Sequence, residues 1–170
     1  QEVLRINHKN KNVKNIILKN NSLIEVDTVV CNADPPKVYD EFIFPKINNK
    51  VFDIKRQRLR YSMGLYVFYF GTKKKYKDIE HHTIYLGKSH KKLLNKIFDS
   101  KELDDDFSYY LHRPSATDPT MAPDGKDCFY VLVPVPNNQS KINWRENGED
   151  FKNKVIKKLE ETSMPELSKY

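Results

Sequence analysis

The sequence predicts an α+β fold in which a mixed, largely antiparallel sheet carries helices on one face and follows an N-terminal β-meander. Strand-like segments occur in pairs joined by short turns, which is typical of antiparallel pairing. Near the carboxyl end, Phe151, Val155 and Leu159 recur at helical spacing, which predicts an amphipathic helix over residues 145–163. Of the 170 residues, 38% are hydrophobic and 12% aromatic, and these values favour a packed core over disorder.

The first 33 residues are predicted to form a three-stranded meander. Apolar segments that begin at Val3, Val13 and Leu23 are separated by turns rich in Asn and Lys. The third segment ends in a nearly continuous apolar run over residues 26–31, so we expect its end to be buried. A helix should follow, because Asp34 can cap it and Pro35 suits its first turn.

The rest of the chain alternates between strand and helix patterns. We expect a linker over residues 44–49, a basic helix or extended arm over 51–60, a helix around Leu93 and Ile97, and strands over 63–70, 82–86, 107–111 and 129–135. Residues 63–70 are apolar on both faces, so this strand is predicted to be central in its sheet.

The charge balance is basic, with 30 Lys and Arg residues against 23 Asp and Glu residues. Two basic runs, at residues 55–60 and 73–77, are compatible with a solvated face, an anionic lipid surface or the phosphates of nucleic acid. Charge without a recognition motif favours the solvated face, with lipid next. No apolar run approaches the length of a membrane span, and no signal peptide is visible.

The glycines and cysteines limit the kinds of binding site that the sequence can form. Five glycines provide no Gly-rich phosphate-binding loop. Cys31 and Cys128 fit neither a disulfide framework nor a metal-site spacing, so we predict reduced, buried thiols in a cytoplasmic protein. The chain starts at Gln1 within a strand-like pattern, which we interpret as part of a longer protein.

The candidate site lies in residues 109–125, where polar residues and prolines are concentrated. Prolines restrict the backbone, so the segment should hold its side chains rigidly. Arg113 can bind a carboxylate, a phosphate or a developing charge, or it can form an ion pair with Asp118 that stiffens the loop. Asp118 precedes a proline and is expected to start a turn. For His81, His82 and His112 we predict hydrogen-bonding or structural roles and no metal site, because no companion ligand lies at a suitable spacing.

Several segments, in order along nearly the whole chain, resemble the bacterial-type phytoene desaturases. The matching segments are Val30-Cys31-Asn32-Ala33-Asp34-Pro35 and residues 65–71, 81–87, 109–125, 130–136 and 164–167. The longest, at 109–125, is similar to that family's Tyr-Leu-His-Arg-Pro-Thr-Ala-Thr-Asp-Pro run. The resemblance implies an FAD-dependent enzyme of carotenoid biosynthesis that dehydrogenates a long polyene hydrocarbon.

The resemblance also implies how the chain is divided. Residues 1–40 correspond to a meander and reconnecting strand of the FAD-binding domain, and residues 41–170 correspond to the substrate-binding domain of a flavin oxidoreductase, without the carboxyl-terminal FAD segment. Val3, Asn32 and Ala33 match positions near the cofactor. This fragment alone is expected to be inactive and to bind FAD poorly, because it has no Gly-x-Gly-x-x-Gly turn.

The resemblance further implies phytoene or a related carotenoid as the substrate and a cytoplasmic enzyme that is peripheral on the membrane. An acid or base near the flavin would come from polar groups, and the candidates are His112, Arg113, Thr117 and Asp118. A homo-oligomer is compatible with this interpretation, and nucleic acid is not an expected partner. The alternatives are a related carotenoid isomerase or ketolase-type flavoprotein, a basic nucleic-acid-binding module, and a lipid-binding domain without catalysis.

Overall fold

The computed structural model describes residues 1–44, 46 and 58–170. The chain forms two compact units, Gln1–Arg60 and Tyr61–Tyr170, and each is described by itself. Most of the expected linker at 44–49 and residues 51–57 of the basic arm, including the first half of the basic run at 55–60, lie outside the described residues. The assignment of residues 1–40 to a flavin domain and 41–170 to a substrate domain stays a prediction.

The first unit contains the predicted meander. Strands β1 (Val3–Lys9), β2 (Asn12–Leu18) and β3 (Leu23–Glu25) pair antiparallel, and β4 (Ile43–Phe44) pairs parallel with β1. Asn10 and Lys11 have positive φ angles of 52° and 66°, the left-handed conformation that a two-residue hairpin turn requires. The sheet order is β3-β2-β1-β4.

The end of the meander differs from the prediction of a buried strand. β3 ends at Glu25, and all three of its residues are exposed. Val30 is 94% exposed and Cys31 is exposed as well, so the expectations of a buried strand end and of a buried Cys31 thiol were wrong. The reason is topological: β3 is the edge strand of its sheet, and no element in the described part of this unit covers the apolar run after it.

The helical turn after the meander is short. Helix α1 (Pro35–Lys37) continues as a π-helical turn, Val38–Phe42, before the chain enters β4. Asp34 precedes α1 without forming a side-chain capping hydrogen bond, so the expected cap is absent at this position. Val38 and Ile6 are buried and form the small apolar centre of the unit.

The second unit is built on a four-stranded antiparallel sheet. Its strands are β5 (Gly64–Thr72), β6 (His82–Tyr85), β7 (Tyr109–His112) and β8 (Asp127–Val135), in the order β5-β8-β7-β6. The prediction that residues 63–70 form a central strand was wrong, because β5 lies at the edge of this sheet. Its apolar residues alternate instead between the core face and an exposed face.

The helices of the second unit pack on the inner face of its sheet, as predicted. Helix α2 (His90–Asn95) continues as a π-helical turn, Lys96–Ser100, and α3 (Trp144–Thr162) is the long amphipathic helix. The Asn143 side chain accepts a hydrogen bond from the Arg145 amide at 3.2 Å and caps α3. The core joins the inner residues of β7 and β8 to Phe151, Val155 and Leu159 of α3. These features confirm the α+β fold with an N-terminal meander. Among the described residues, none of the helices combines the length and apolar character needed to cross a bilayer.

Candidate functional site

Three histidines meet at one end of the second sheet, and we call them the histidine cluster: His81, His82 and His112. His82 and His112 face each other across the β6–β7 pair, and His81 immediately precedes β6. The ring centroid of His81 lies 4.3 Å from that of His82 and 4.6 Å from that of His112. The Nε2 atoms of His81 and His112 are 2.7 Å apart, which is hydrogen-bonding distance.

Hydroxyl groups hold two of these rings from their other side. His81 Nδ1 lies 2.6 Å from Thr117 Oγ1, and His82 Nδ1 lies 2.6 Å from the Tyr110 hydroxyl. His112 Nδ1 is buried and has no hydrogen-bond partner among the described residues. Burial lowers the pKa of His112, and the neighbouring His81 and His82 lower it further, so this imidazole is held in its neutral form.

Arg113, the residue after β7, is committed to a buried ion pair. Its Nη2 donates to Asp127 Oδ1 at 3.1 Å and its Nη1 donates to the Ile79 carbonyl at 2.7 Å. Its Nε lies 3.0 Å from Asp127 Oδ2 without the alignment of a hydrogen bond. The partner of Arg113 is therefore Asp127, and the alternative of a pair with Asp118 was wrong. The physical reason is that Asp127 begins β8 inside the core, whereas the Asp118 side chain is exposed and bonded elsewhere.

The proline-rich loop is shaped by short helical turns and local hydrogen bonds. Turns of 3₁₀ helix, Pro114–Ala116 and Pro119–Met121, follow β7. Asp118 Oδ1 accepts from the Thr120 amide at 3.0 Å and from the Thr120 hydroxyl at 2.6 Å, and these bonds lower the pKa of Asp118. Asp118 thus starts a turn, in agreement with the expectation from its place before a proline.

The sheet face opposite α3 is apolar and uncovered within the second unit, and we call it the outer face. Its exposed apolar side chains come from β5, β6 and the residue after β6; Tyr69 is 77% exposed and Ile84 71%. The full set is Leu65, Val67, Tyr69, Ile84 and Leu86. Soluble domains rarely leave so many large apolar side chains together, so this face is a candidate binding surface.

An apolar groove of about 580 Å³ runs from this face to the histidine cluster. Its walls come from β5, the proline-rich loop and β8: Tyr69, Phe70, Gly71, His112, Pro114, Met121, Cys128, Phe129 and Tyr130. Tyr130 links the two ends, because its ring centroid is 5.4 Å from that of Tyr69 and 4.6 Å from that of His112. The arrangement offers a ligand a long aromatic surface with polar nitrogen atoms at one end.

The predicted site residues occupy different surroundings. His112 lines the groove, Thr117 holds the ring of His81, Arg113 is bonded inside the core, and Asp118 lies on the exposed side of the loop. Their catalytic roles stay a prediction. The predicted cofactor contacts are in the first unit, where Val3 is half-buried in β1 and Asn32 and Ala33 are exposed before α1. Their contact with FAD also stays a prediction.

Sequence reasoning missed two parts of this site. The grouping of His81 and His82 with His112 depends on strand pairing across 31 residues, which spacing along the chain does not reveal. Asp127 was overlooked because it lies just before the predicted strand at 129–135. Its only adjacent residue of opposite charge in the sequence is Lys126, so nothing nearby along the chain pointed to Arg113 as its partner. The alternation of β8, with Asp127 in phase with Phe129 and Val131, was the signal that placed this carboxylate on the buried face.

No protein-family model matches the chain. Among curated proteins, a neurosporene-forming phytoene desaturase of Rhodobacter capsulatus is 42% identical over 155 residues, which cover 88% of this chain and 30% of that protein. A lycopene-forming phytoene desaturase of a Paracoccus species is 34% identical over 167 residues, or 98% of this chain and 33% of that protein. A 4,4'-diapophytoene desaturase of a Methylomonas species is 34% identical over 151 residues, or 89% and 29%.

The chain spans about 30% of the length of these curated relatives. The similarity extends over nearly all of its own length. The chain therefore belongs to the family of bacterial phytoene desaturases.

Proposed function

We propose that the chain is part of an FAD-dependent desaturase that dehydrogenates phytoene or a related carotenoid, and that residues 61–170 supply a surface for the polyene. The relatives carry the names of carotenoid desaturases. The observation that carries the proposal is the uncovered, aromatic outer face, which continues through the groove to the histidine cluster.

A polyene hydrocarbon offers no polar group for recognition, so its binding free energy must come from apolar contact. Burial contributes about 25 cal/mol per Å² of apolar surface removed from water. Leu65, Val67 and Tyr69 occupy every second position of β5, so their side chains lie on the same side of the strand. They give an extended ligand a row of apolar contacts. An uncovered sheet face suits a rigid, elongated ligand better than a compact pocket does.

FAD, when bound, accepts the hydrogen that is removed from the polyene. The first unit fits only a limited contact with such a cofactor. Its helix α1 has three residues, too few to present a helix end to a pyrophosphate, and the chain has no Gly-rich turn. Val3, Asn32 and Ala33 would touch the edge of a cofactor whose main contacts come from other segments of the longer protein.

Within the second unit, His112 is the residue best placed to exchange a proton with a bound polyene. It is the only imidazole among the residues that line the groove, and burial lowers its pKa, which favours the neutral ring. Thr117 acts through His81, whose Nε2 faces His112. Arg113 and Asp118 are engaged in bonds that shape the loop, so their contribution would be structural.

The enzyme is further proposed to be cytoplasmic and peripheral on the membrane, because its hydrocarbon substrate partitions into the bilayer. The basic run at 73–77 supplies exposed charge for anionic lipid: Lys73, Lys75 and Lys77 are exposed, and Lys74 lies 5.0 Å from the centre of the Tyr170 ring. Homo-oligomer formation remains compatible with this proposal.

The test uses the longer protein reconstituted with FAD and with phytoene in liposomes. Tyr69→Asp and Val67→Asp on the outer face should raise KM for phytoene at least tenfold while flavin content stays unchanged, because charge opposes contact with a hydrocarbon. Phe98→Asp is the matched control, since Phe98 is a partly exposed aromatic residue in the turn after α2. Equal kinetics for all three variants and the parent would refute a role of the outer face in substrate binding.

A further inference from the structure

We propose that His81, His82 and His112 form a binding site for a borderline divalent transition-metal ion, with Zn²⁺ as the representative. The inference does not rest on the proposed desaturase function, because it concerns only the geometry of these rings. It departs from the expectation of no metal site, which was drawn from spacing along the chain. The fold brings the three residues together although His112 is 31 residues beyond His81.

The donor atoms already lie close to the separation that a shared ion requires. One nitrogen from each ring falls within 4.8 Å of the nitrogens offered by the other two. Two nitrogens bound to one tetrahedral Zn²⁺ at about 2.0–2.1 Å are separated by about 3.3 Å. The Nε2 atoms of His81 and His112 are 2.7 Å apart, so a small rotation of either ring opens the site.

The hydrogen bonds on the far side of the rings orient them for an ion. Thr117 Oγ1 donates to the Pro114 carbonyl at 3.4 Å, so it accepts from His81 Nδ1–H, and the lone pair of His81 is then on Nε2. His82 Nδ1 lies 2.6 Å from the Tyr110 hydroxyl, so Nε2 is the nitrogen of this ring that is not engaged by that hydroxyl. Such outer bonds fix the tautomer and direction of metal-binding imidazoles.

The backbone under the cluster is fixed as well. His82 and His112 are a register pair of the β6–β7 ladder, and the Arg113 amide donates to the His81 carbonyl at 2.9 Å. The buried ion pair of Arg113 with Asp127 anchors the same strand end to β8. Two of the three ligands therefore lie on paired strands, and the backbone of His81, just before β6, is bonded to that of Arg113, so little ordering is needed when an ion binds.

The ligand set selects the class of ion. Imidazole ligands suit Zn²⁺, Ni²⁺ and Cu²⁺, whereas Mg²⁺ and Ca²⁺ prefer oxygen ligands. The exposed ring of His82 gives the ion a path from solvent, and three protein ligands leave a position for water. With the lone pair of His81 on Nε2, the proton of the 2.7 Å contact is on His112 Nε2, and an ion bound at this nitrogen would require the proton to move to His112 Nδ1. Metal binding and proton exchange at His112 Nε2 would therefore exclude each other.

The experiment is isothermal titration of the chain, residues 1–170, with ZnCl₂ in a background in which Cys31 is replaced by Ser. We expect saturable binding of one ion, and we expect His81→Ala and His82→Ala each to weaken it by about tenfold or more. His90→Ala is the control, because His90 is an exposed histidine at the start of α2. Titration with MgCl₂ should give no binding, and Co²⁺ should give visible absorption bands that disappear in His82→Ala.

Two results would overturn the proposal: no saturable Zn²⁺ binding, or unchanged Zn²⁺ affinity in the His81→Ala/His82→Ala double variant. His82 is exposed, so its replacement should keep the fold, and circular dichroism checks this point. The result for His82→Ala therefore decides the matter. Desaturase activity is not measured, so failure of this proposal leaves the proposed function untouched.

Discussion

The guanidinium of Arg113 and the carboxylate of Asp127 form a buried ion pair that joins the end of β7 to the start of β8. Asp127 is 2% exposed and Arg113 is 7% exposed. The carboxylate also accepts from the Tyr76 amide at 2.8 Å and from the Ser115 hydroxyl at 3.0 Å. One carboxylate thus holds three separate segments: the turn after β5, the strand end of β7 and the proline-rich loop.

Replacement of Asp127 should destabilise the second unit strongly. Asp127→Asn removes the negative charge and leaves the Arg113 guanidinium buried without a counter-ion, which costs about 3–5 kcal/mol when a buried pair is broken on one side. The loss is measured as a decrease in the free energy of unfolding in urea. Asp118→Asn is the control, since this exposed carboxylate bonds only within its own turn, and we expect less than about 1 kcal/mol. A similar small loss for both variants would contradict a structural role of the pair.

Tyr66 should contribute to loss of stability at alkaline pH. Burial raises the pKa of Tyr66, and the charge of Glu149 raises it further, while the hydroxyl donates to the Gly148 carbonyl at 2.7 Å. Because the folded pKa lies above the unfolded value near 10, the contribution is fully present below that pH and is lost as pH rises through the folded pKa.

Tyr66→Phe removes this titration, so the free energy of unfolding should decline less steeply above about pH 10 in the variant than in the parent. Urea unfolding at several alkaline pH values measures the two slopes. At neutral pH the variant should lose about 1 kcal/mol, the usual contribution of a hydrogen bond. Parallel pH profiles for parent and variant would show that ionisation of Tyr66 is not linked to unfolding.

His112 should affect turnover in the longer, flavin-loaded protein. His112→Ala is expected to lower kcat more than tenfold, or about 1.4 kcal/mol of transition-state stabilisation, with FAD content unchanged. Arg113→Ala should instead lower the free energy of unfolding, because it leaves Asp127 buried and unpaired. Full activity of His112→Ala would place the proton-exchanging group elsewhere in the enzyme.

The lysines that follow β5 should contribute to binding of anionic vesicles. The triple variant with Lys73, Lys74 and Lys75 changed to Glu is expected to bind phosphatidylserine vesicles more weakly, and the difference should shrink as salt rises. The matched control changes Lys154, Lys157 and Lys158 of α3 to Glu, which alters the net charge equally. Sedimentation with vesicles measures both, and equal loss in the two variants would indicate a net-charge effect instead of a local contact.

The sequence predicted where the helices and strands lie along the chain better than it predicted which of them lie next to one another. Short-range patterns were sufficient for the meander, for α3 and for the strands of the second unit, since turn residues and apolar periodicity are local properties. Asp118 was also predicted well, because its turn involves only Thr120, two residues away. Bonds of this kind depend on the order of residues along the chain and on little else.

The errors concern relations between distant residues. The residue pattern of an apolar strand does not show whether a second layer covers its outer face. Because β5 is apolar on both faces, it was expected at the centre of the sheet, whereas it lies at the edge. The partner of Arg113 and the neighbours of His112 were missed because they depend on the register of β6, β7 and β8. Buried ion pairs and clusters of rings can be predicted only when the order and register of the strands are known.

The position of β5 at the sheet edge carries a consequence for the solubility of the chain. An edge strand with a row of apolar side chains is a template for aggregation through pairing with another molecule, and natural proteins oppose this with charged gatekeeper residues. Charge on the outer face itself would weaken contact with the hydrocarbon that we propose binds there. Lys73, Lys74 and Lys75 directly follow the last residue of β5. In this turn their charges can oppose edge-to-edge pairing of β5 without interrupting its row of apolar side chains.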